Sequence, residues 1–161
     1  MKSQTKGQKG FSLIELLVVV GIILIIVAIA VPNLMAAKRA AHESSAVGSI
    51  RTLHTALISY ATQCPQIGFP TDLTGLGPGP GDCTGIAAVD ETLGTVTPSR
   101  DGYDFTYTPT SSTGTFNDGY TINADPSATG STGTRHFFGD DTGVIRYNQS
   151  SSATTNDNAL E

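Results

Sequence analysis

The chain has 161 residues and a formal net charge of -5 at pH 7, with a pI near 5.0. This length is typical of a single domain, and the acidic balance disfavours a nucleic-acid-binding surface, which needs clustered lysine and arginine. The composition is uneven, because residues 11–31 are almost wholly hydrophobic and the chain after Gln63 is rich in Gly, Ser, Thr, Asp and Pro. The sequence therefore predicts an apolar N-terminal segment followed by a polar head.

The apolar run is long enough to cross a membrane as a helix. A helix rises about 1.5 Å per residue, so residues 11–31 cover the roughly 30 Å hydrocarbon core of a bilayer. Lys2, Lys6 and Lys9 precede the run. This positive charge predicts a cytoplasmic N-terminus and a head that faces outward.

Three kinds of N-terminal segment fit this pattern. The Ala-Ile-Ala motif at 28–30 is typical of a secretory signal cleaved after Ala30, and an uncleaved single-span anchor fits the hydropathy as well. Glu15 argues against both, because a carboxylate in lipid costs about 3 kcal/mol and needs a compensating cation. Cleavage between Gly10 and Phe11 would create an α-ammonium group about one helical turn before Glu15. The third alternative is therefore a segment that is cleaved at this bond and retained.

The residues around this bond carry a recognisable motif. Residues 9–19, KGFSLIELLVV, resemble the class III signal of type IV pilins and their pseudopilin relatives. The resemblance implies that a membrane-embedded prepilin peptidase cuts after Gly10 and methylates the new N-terminal Phe11. Residues 1–10 would then be a basic leader, and the apolar segment would stay on the mature subunit.

The same resemblance implies a role for Glu15 in filament assembly. In the family, this carboxylate is thought to attract the N-terminal ammonium of a neighbouring subunit as it docks. Desolvation offsets much of the Coulomb gain of such a pair, so we expect Glu15 to set subunit addition and register more than subunit folding. The implied partners are further copies of the chain in a helical filament, the prepilin peptidase and methyltransferase, and an inner-membrane assembly platform.

Gly21 and Pro32 interrupt a sequence that is otherwise compatible with a helix. Proline removes a backbone donor and clashes with the preceding turn, which predicts a kink or local unwinding. The resemblance implies a region that straightens or melts in filaments, and an ordinary helix bend is the alternative.

The second half of the helix, 33–63, is predicted to be amphipathic. Its apolar positions recur at helical spacing on one stripe that needs a sheet to cover it. The stripe comprises Val47, Ile50, Leu53, Leu57, Ile58 and Ala61. We expect His42 and His54 to be surface or boundary residues, and Lys38, Arg39 and Glu43 to form charge pairs on a solvated face.

The only two cysteines are Cys64, directly after this helix, and Cys83, which follows a loop rich in Gly and Pro. Their spacing does not fit a structural zinc site. We predict a disulfide between them, as expected for an exported head.

Four strands are predicted in the head from alternating residues and turn signals. They lie at 103–108, ended by Pro109, at 120–124, closed by Pro126, and at 135–138 and 144–147. The predicted fold class is α+β, with a long N-terminal helix, apolar over 11–32 and amphipathic over 33–63, packed on a small antiparallel sheet. Residues 64–149 would form the disulfide-clasped loop and the sheet, and 150–161 a polar tail.

Catalytic and metal motifs are weak or missing in the sequence. No nucleophile elbow, P-loop or HExxH pattern occurs, so we expect no enzymatic activity. Asp140 and Asp141, with Asp118 and Asp125, offer oxygen ligands for calcium. However, the sequence Gly-Asp-Asp-Thr-Gly is equally suited to a hairpin turn. We therefore expect no cofactor, with calcium in the head as the alternative.

The predicted function is that of a structural subunit of a type IV pilus. A body pseudopilin of a type II secretion system shares every motif and is the main alternative. An alternative of another class is a minor pilin that binds DNA or a surface, for which only Arg100, Arg135 and Arg146 are available in the head. We expect the precursor in the inner membrane and the assembled subunit in an extracellular or periplasm-spanning filament, with no bound nucleic acid.

Overall fold

The computed structural model describes residues 10–78, 88–111 and 116–160. The chain divides into two compact units, Met1–Ala37 and Lys38–Glu161. One α-helix, α1, spans Leu13–Gln63 and contributes residues to both units. The remaining regular elements all belong to the second unit.

In the first unit every described residue is exposed to solvent. The helix passes through Gly21 and Pro32 without interruption. Because proline has no N–H group, the Ala28 carbonyl lacks its usual helical donor. The Asn33 side-chain amide donates to the neighbouring Ile29 carbonyl at 3.1 Å. Neither Gly21 nor Pro32 unwinds α1 here, and the kink stays a prediction.

The second unit contains a six-stranded sheet in which every neighbouring pair is antiparallel. Its strands follow chain order and are β1 (Ser99–Arg100), β2 (Tyr103–Thr110), β3 (Gly119–Pro126), β4 (His136–Asp140), β5 (Ile145–Asn148) and β6 (Asn158–Ala159). A short 3₁₀-helix, Leu73–Leu76, precedes the sheet. The α+β fold and the four predicted strands are confirmed, whereas β1, β6 and the 3₁₀-helix were not predicted.

One face of the sheet packs on the second half of α1. The register aligns Phe105, Ala124, Phe137 and Tyr147 across four strands. These side chains share a core with Leu53, Leu57 and Tyr60 of the helix, among others. Alternate residues of each strand point to the opposite face, which is why β2 and β3 alternate between apolar and polar positions.

Several details of the predicted helix stripe were wrong. Ile58 is 48 % exposed, and Ser49, which is not among the predicted stripe residues, is buried. The buried stripe contains the predicted Ile50, Leu53 and Leu57, and it also includes Ala46, Ala56 and Tyr60. Small residues at 46, 49 and 56 allow the helix to lie close to the sheet, a feature that a count of large apolar residues does not detect.

Two strands also extend further than predicted. β2 continues through Pro109 to Thr110, and β3 includes Pro126. Pro126 pairs with Tyr103 at one end of the β2–β3 ladder. Proline is tolerated where its missing N–H group is not needed by a neighbouring strand.

The C-terminal residues 150–160 pack on the head, although their composition predicted a polar tail with little to bury. Ala153 is 2 % exposed, and its carbonyl accepts a hydrogen bond from the Asn123 side chain at 2.9 Å. Leu160 donates its N–H to the Ile145 carbonyl at 2.7 Å, next to the β5–β6 pair. The segment therefore covers part of the sheet and protects an edge strand from further pairing.

Cys64 is buried directly after α1 and takes part in a disulfide. Cys83 lies outside the described residues. Its pairing with Cys64 therefore stays a prediction.

Candidate assembly site on the N-terminal helix

The first unit brings together three of the residues predicted from the sequence. Gly10 and Phe11 precede the first turn of α1, and Glu15 lies within that turn. Phe11 is 92 % exposed. The predicted cleavage bond and the predicted assembly carboxylate are therefore at the same end of the helix.

Glu15 also has a local role that the sequence analysis missed. Its Oε2 atom accepts a hydrogen bond from the Ser12 backbone N–H at 2.9 Å. Ser12 precedes the first helical residue, and a glutamate three residues later is the second member of a capping box. This contact satisfies one of the N–H groups that every helix leaves unpaired at its start. The Ser-x-x-Glu spacing was the signal that could have revealed it.

A shallow groove surrounds this carboxylate. Its walls are formed by Phe11, Ile14, Val18 and Val19, and Glu15 supplies the polar atoms. When a partner covers this groove, its apolar walls exclude water from the carboxylate. The attraction between Glu15 and a nearby cation would then be only weakly screened by solvent. The groove is therefore suited to an apolar partner that carries one positive charge.

The exposed helix extends this surface well beyond Glu15. Among the described residues, α1 is the one helix long and apolar enough to cross a membrane. Its exposed large side chains run from Leu13 to Met35. Contiguous apolar surface of this extent marks an interaction site or a membrane contact.

The three arginines of the head already form ion pairs or hydrogen bonds within the chain. Arg100 forms an ion pair with Asp90 at 2.9 Å, and Arg146 donates to the Asp157 carbonyl at 3.2 Å. Arg135 pairs with Glu43 at 2.7 Å. The basic patch that DNA binding would require is therefore not formed by these side chains.

The sequence analysis predicted that Glu43 lies on a solvated face, and this prediction is wrong. The residue is 6 % exposed and accepts hydrogen bonds from the backbone of Thr134 and the side chain of Arg135 at 2.9 and 2.7 Å. Burial raises the pKa of this carboxyl, but these hydrogen bonds and the arginine charge outweigh it, so the pKa lies below its ordinary value. The residue anchors α1 to the β3–β4 loop, a contact between distant positions that no sequence spacing signals.

His42 is half-buried, which agrees with the prediction of a boundary residue. His54 has a more specific position, because its Nδ1 atom is hydrogen-bonded to the Tyr120 hydroxyl. Asp140 forms a hairpin turn, accepting the Gly143 N–H at its carbonyl at 3.0 Å. Within the described ranges, no three His, Cys, Asp or Glu side chains gather in an arrangement that could hold a metal.

Comparison with known proteins agrees with the N-terminal motif. Residues 5–31 match the family model for the prokaryotic N-terminal methylation motif. The chain is 38 % identical over 73 residues to the type II secretion system core protein G of Aeromonas hydrophila, an alignment covering 45 % of this chain and 50 % of the relative. It is 39 % identical over 72 residues to the protein of the same name from Escherichia coli strain K12, covering 45 % and 48 %.

A third relative, from Dickeya chrysanthemi, has the same name and is 37 % identical over 72 residues. The chain thus spans about half the length of the curated relatives it matches, from 46 % to 50 %. No solved structure matches the chain significantly.

Proposed function

Because the chain belongs to the type IV pilin and pseudopilin family, we propose that it is a core pseudopilin of a type II secretion system. The name shared by its three relatives carries this proposal. It favours the alternative from the sequence analysis over the type IV pilus that was preferred there. The motifs of the N-terminal helix are common to both kinds of filament.

The proposed subunit is made as a membrane-inserted precursor. The prepilin peptidase would cut between Gly10 and Phe11 and methylate Phe11, and α1 would then hold the subunit in the inner membrane. The exposure of the whole apolar half of α1 supports this stage, because such a surface is stable only in lipid or against other apolar helices.

Assembly would bury the same surface between neighbouring copies. The groove around Glu15 would receive the methylated α-ammonium of a neighbouring Phe11. This change of partner would take Glu15 from the Ser12 N–H of its own chain to the terminal charge of another. A hydrogen bond from an ammonium group to a carboxylate is stronger than one from a neutral amide to a carboxylate. This difference favours the exchange once water is excluded.

The first test is the N-terminus of the protein purified from its native host. Intact mass and N-terminal sequencing are expected to show a chain that begins at Phe11 and carries one methyl group. A chain beginning at Val31 would mean an ordinary secreted domain, and one beginning at Met1 a permanently anchored protein. Either result would overturn the proposed processing.

The second test separates the secretion pseudopilus from the pilus. Deletion of the gene in the host is expected to retain exoproteins in the periplasm and to leave surface pili and twitching motility intact. Complementation with the wild-type chain restores secretion, and a Gly10→Val chain, which blocks cleavage, does not. Loss of pili with normal secretion would instead support the pilus subunit predicted from the sequence.

A further inference from the structure

A cleft in the head is unrelated to the N-terminal helix surface. It has a volume of about 280 Å³ and lies between α1 and the β4–β5 hairpin. Its apolar floor is formed by Ile50, Ile122 and Ile145, all of them buried. The volume is about twice that of an apolar cavity of about 150 Å³ that binds benzene. It therefore suits a compact apolar group slightly larger than a single ring.

A glycine beside the cleft lets α1 lie close to the sheet. The sheet register places Tyr107, Ile122, Gly139 and Ile145 in one row across four strands on the helix-facing side. A Cβ atom at Gly139 would lie 2.9 Å from Cγ2 of Ile50, so a side chain there would collide with α1. The row consequently has no side chain at Gly139, and Ile50 of α1 packs against the sheet at this position.

Two donors stand at the rim of the cleft. The Nδ1 atom of His54 is hydrogen-bonded to the Tyr120 hydroxyl. The tyrosine hydroxyl is able to donate to Nδ1, in which case the Nε2 atom carries an N–H. Among the described residues, Nε2 has no hydrogen-bond partner of its own.

Arg51 is the second donor. It lies one helical turn before Thr55 and lines the same cleft. Its guanidinium takes part in none of the ion pairs found within the described residues. Asp140 also lines the cleft; within the described residues it forms no ion pair with Arg51, and its Oδ1 atom accepts hydrogen bonds from the N–H and hydroxyl of Thr142. An unpaired guanidinium and an imidazole N–H thus border an apolar floor.

We propose that this cleft binds small carboxylates with a compact aryl or alkyl body. The apolar body would cover Ile50, Ile122 and Ile145, and the carboxylate would accept hydrogen bonds from Arg51 and His54 Nε2. Apolar pockets with a few convergent polar groups are the usual form of small-molecule sites. The proposal does not depend on filament assembly, since every lining residue belongs to the second unit.

The test is a titration of the full chain in lipid nanodiscs with 3-phenylpropanoate, followed by NMR of isoleucine methyl groups. The methyl signals of Ile50, Ile122 and Ile145 are expected to shift saturably. That of Ile58, which is exposed outside the cleft, is expected to stay in place. Empty nanodiscs correct the free ligand concentration for partitioning. Absence of a saturable shift in the three floor methyls up to the solubility limit would overturn the proposal.

Two comparisons identify the carboxylate contact. Arg51→Gln is expected to weaken 3-phenylpropanoate binding about tenfold, the effect of losing one charge-assisted hydrogen bond at a partly solvated site. Lys38→Gln removes the same charge from the same helix away from the cleft and is expected to leave the affinity unchanged. The neutral 3-phenylpropanol should bind the wild-type protein weakly, and Arg51→Gln should leave its affinity unchanged. Equal affinity for the acid and the alcohol would refute the assigned role of Arg51.

A variant that blocks the cleft completes the test. Thr55 lies on its exposed wall, so Thr55→Phe is expected to fold normally and to abolish the ligand-induced shifts. The methyl spectrum itself reports whether the head is folded. Retained binding in this folded variant would show that the ligand occupies another place and would contradict the proposal.

Discussion

The two units of the chain use apolar residues in opposite ways. Before Ala37 the apolar side chains of α1 are exposed, as Leu17 is at 65 %. After Lys38 the same helix buries Leu53 and Leu57 completely against the sheet. The first unit therefore needs a lipid or protein partner to cover its apolar surface, whereas the second covers its own. Substitutions in the first unit should change assembly, and those in the second should change stability.

The largest expected effect is on the core of the second unit. Leu53→Ala is expected to lower the free energy of unfolding of the head by about 4 kcal/mol, because it removes a fully buried side chain and leaves a cavity. Leu17→Ala is the matched control, since it makes the same change on the exposed half of α1 and should leave head stability unchanged. Thermal and denaturant unfolding, followed by near-UV circular dichroism, measures both. A similar loss of unfolding free energy in the two variants would contradict the proposed difference between the units.

The next effect is on assembly. Glu15→Gln keeps the shape of the side chain but leaves a neighbouring α-ammonium without its counter-charge. Breaking such a pair costs about 3.5 kcal/mol, which corresponds to a loss of filament yield of more than about a hundredfold. Filament yield is measured by cross-linking neighbouring subunits in the cell followed by immunoblotting, and head unfolding should be unaltered. Glu91→Gln, the same substitution on the exposed part of the head, serves as the control. Normal filament yield from the Glu15 variant would refute its assigned role.

The predicted disulfide should act on the second unit alone. Closing the loop between Cys64 and Cys83 stabilises the folded head by about 3 kcal/mol in the chain-entropy account. Cys64→Ser is therefore expected to destabilise the head by this amount without altering cleavage at Gly10. Mass spectrometry with and without reduction checks the bond directly. Two free thiols in the exported protein would show that the pairing is wrong.

The same contrast between the units explains how much the sequence could reveal. In the first unit, a short run of consecutive residues carries the predicted processing motif, and Gly10, Phe11 and Glu15 can be recognised without knowledge of any distant contact. In the second, alternation and turn residues predicted four strands because each is a local pattern. The confirmed fold class follows from these two kinds of signal.

What could not be predicted depends on contacts between distant positions. The two-residue strands β1 and β6 have too few positions to show alternation. Burial of the residues around Ala153 depends on the Asn123 side chain in another strand. Ile50 packs directly against Gly139 of β4, a contact that neither residue alone signals.

Glu43 provides the smallest and most specific test of the second unit. It is linked through Thr134 and Arg135 to the loop before β4, and the Arg135 guanidinium lies 5.5 Å from the centre of the Phe137 ring. Glu43→Gln is expected to cost about 2 kcal/mol at pH 7, because it removes the charge from hydrogen bonds that a carboxylate makes more strongly. Arg135 is partly solvated, which keeps the effect below that of a fully buried pair.

The pH dependence of this variant distinguishes a lost charge from lost packing. The folded pKa of Glu43 lies below its ordinary value of 4.5, so the stabilisation is complete above about pH 4.5 and is lost as the pH falls through the folded pKa. The free energies of unfolding of wild type and Glu43→Gln should therefore converge as the pH falls below 4.5. A constant difference between wild type and Glu43→Gln at all pH values would mean that packing, not ionisation, holds α1 to the β3–β4 loop.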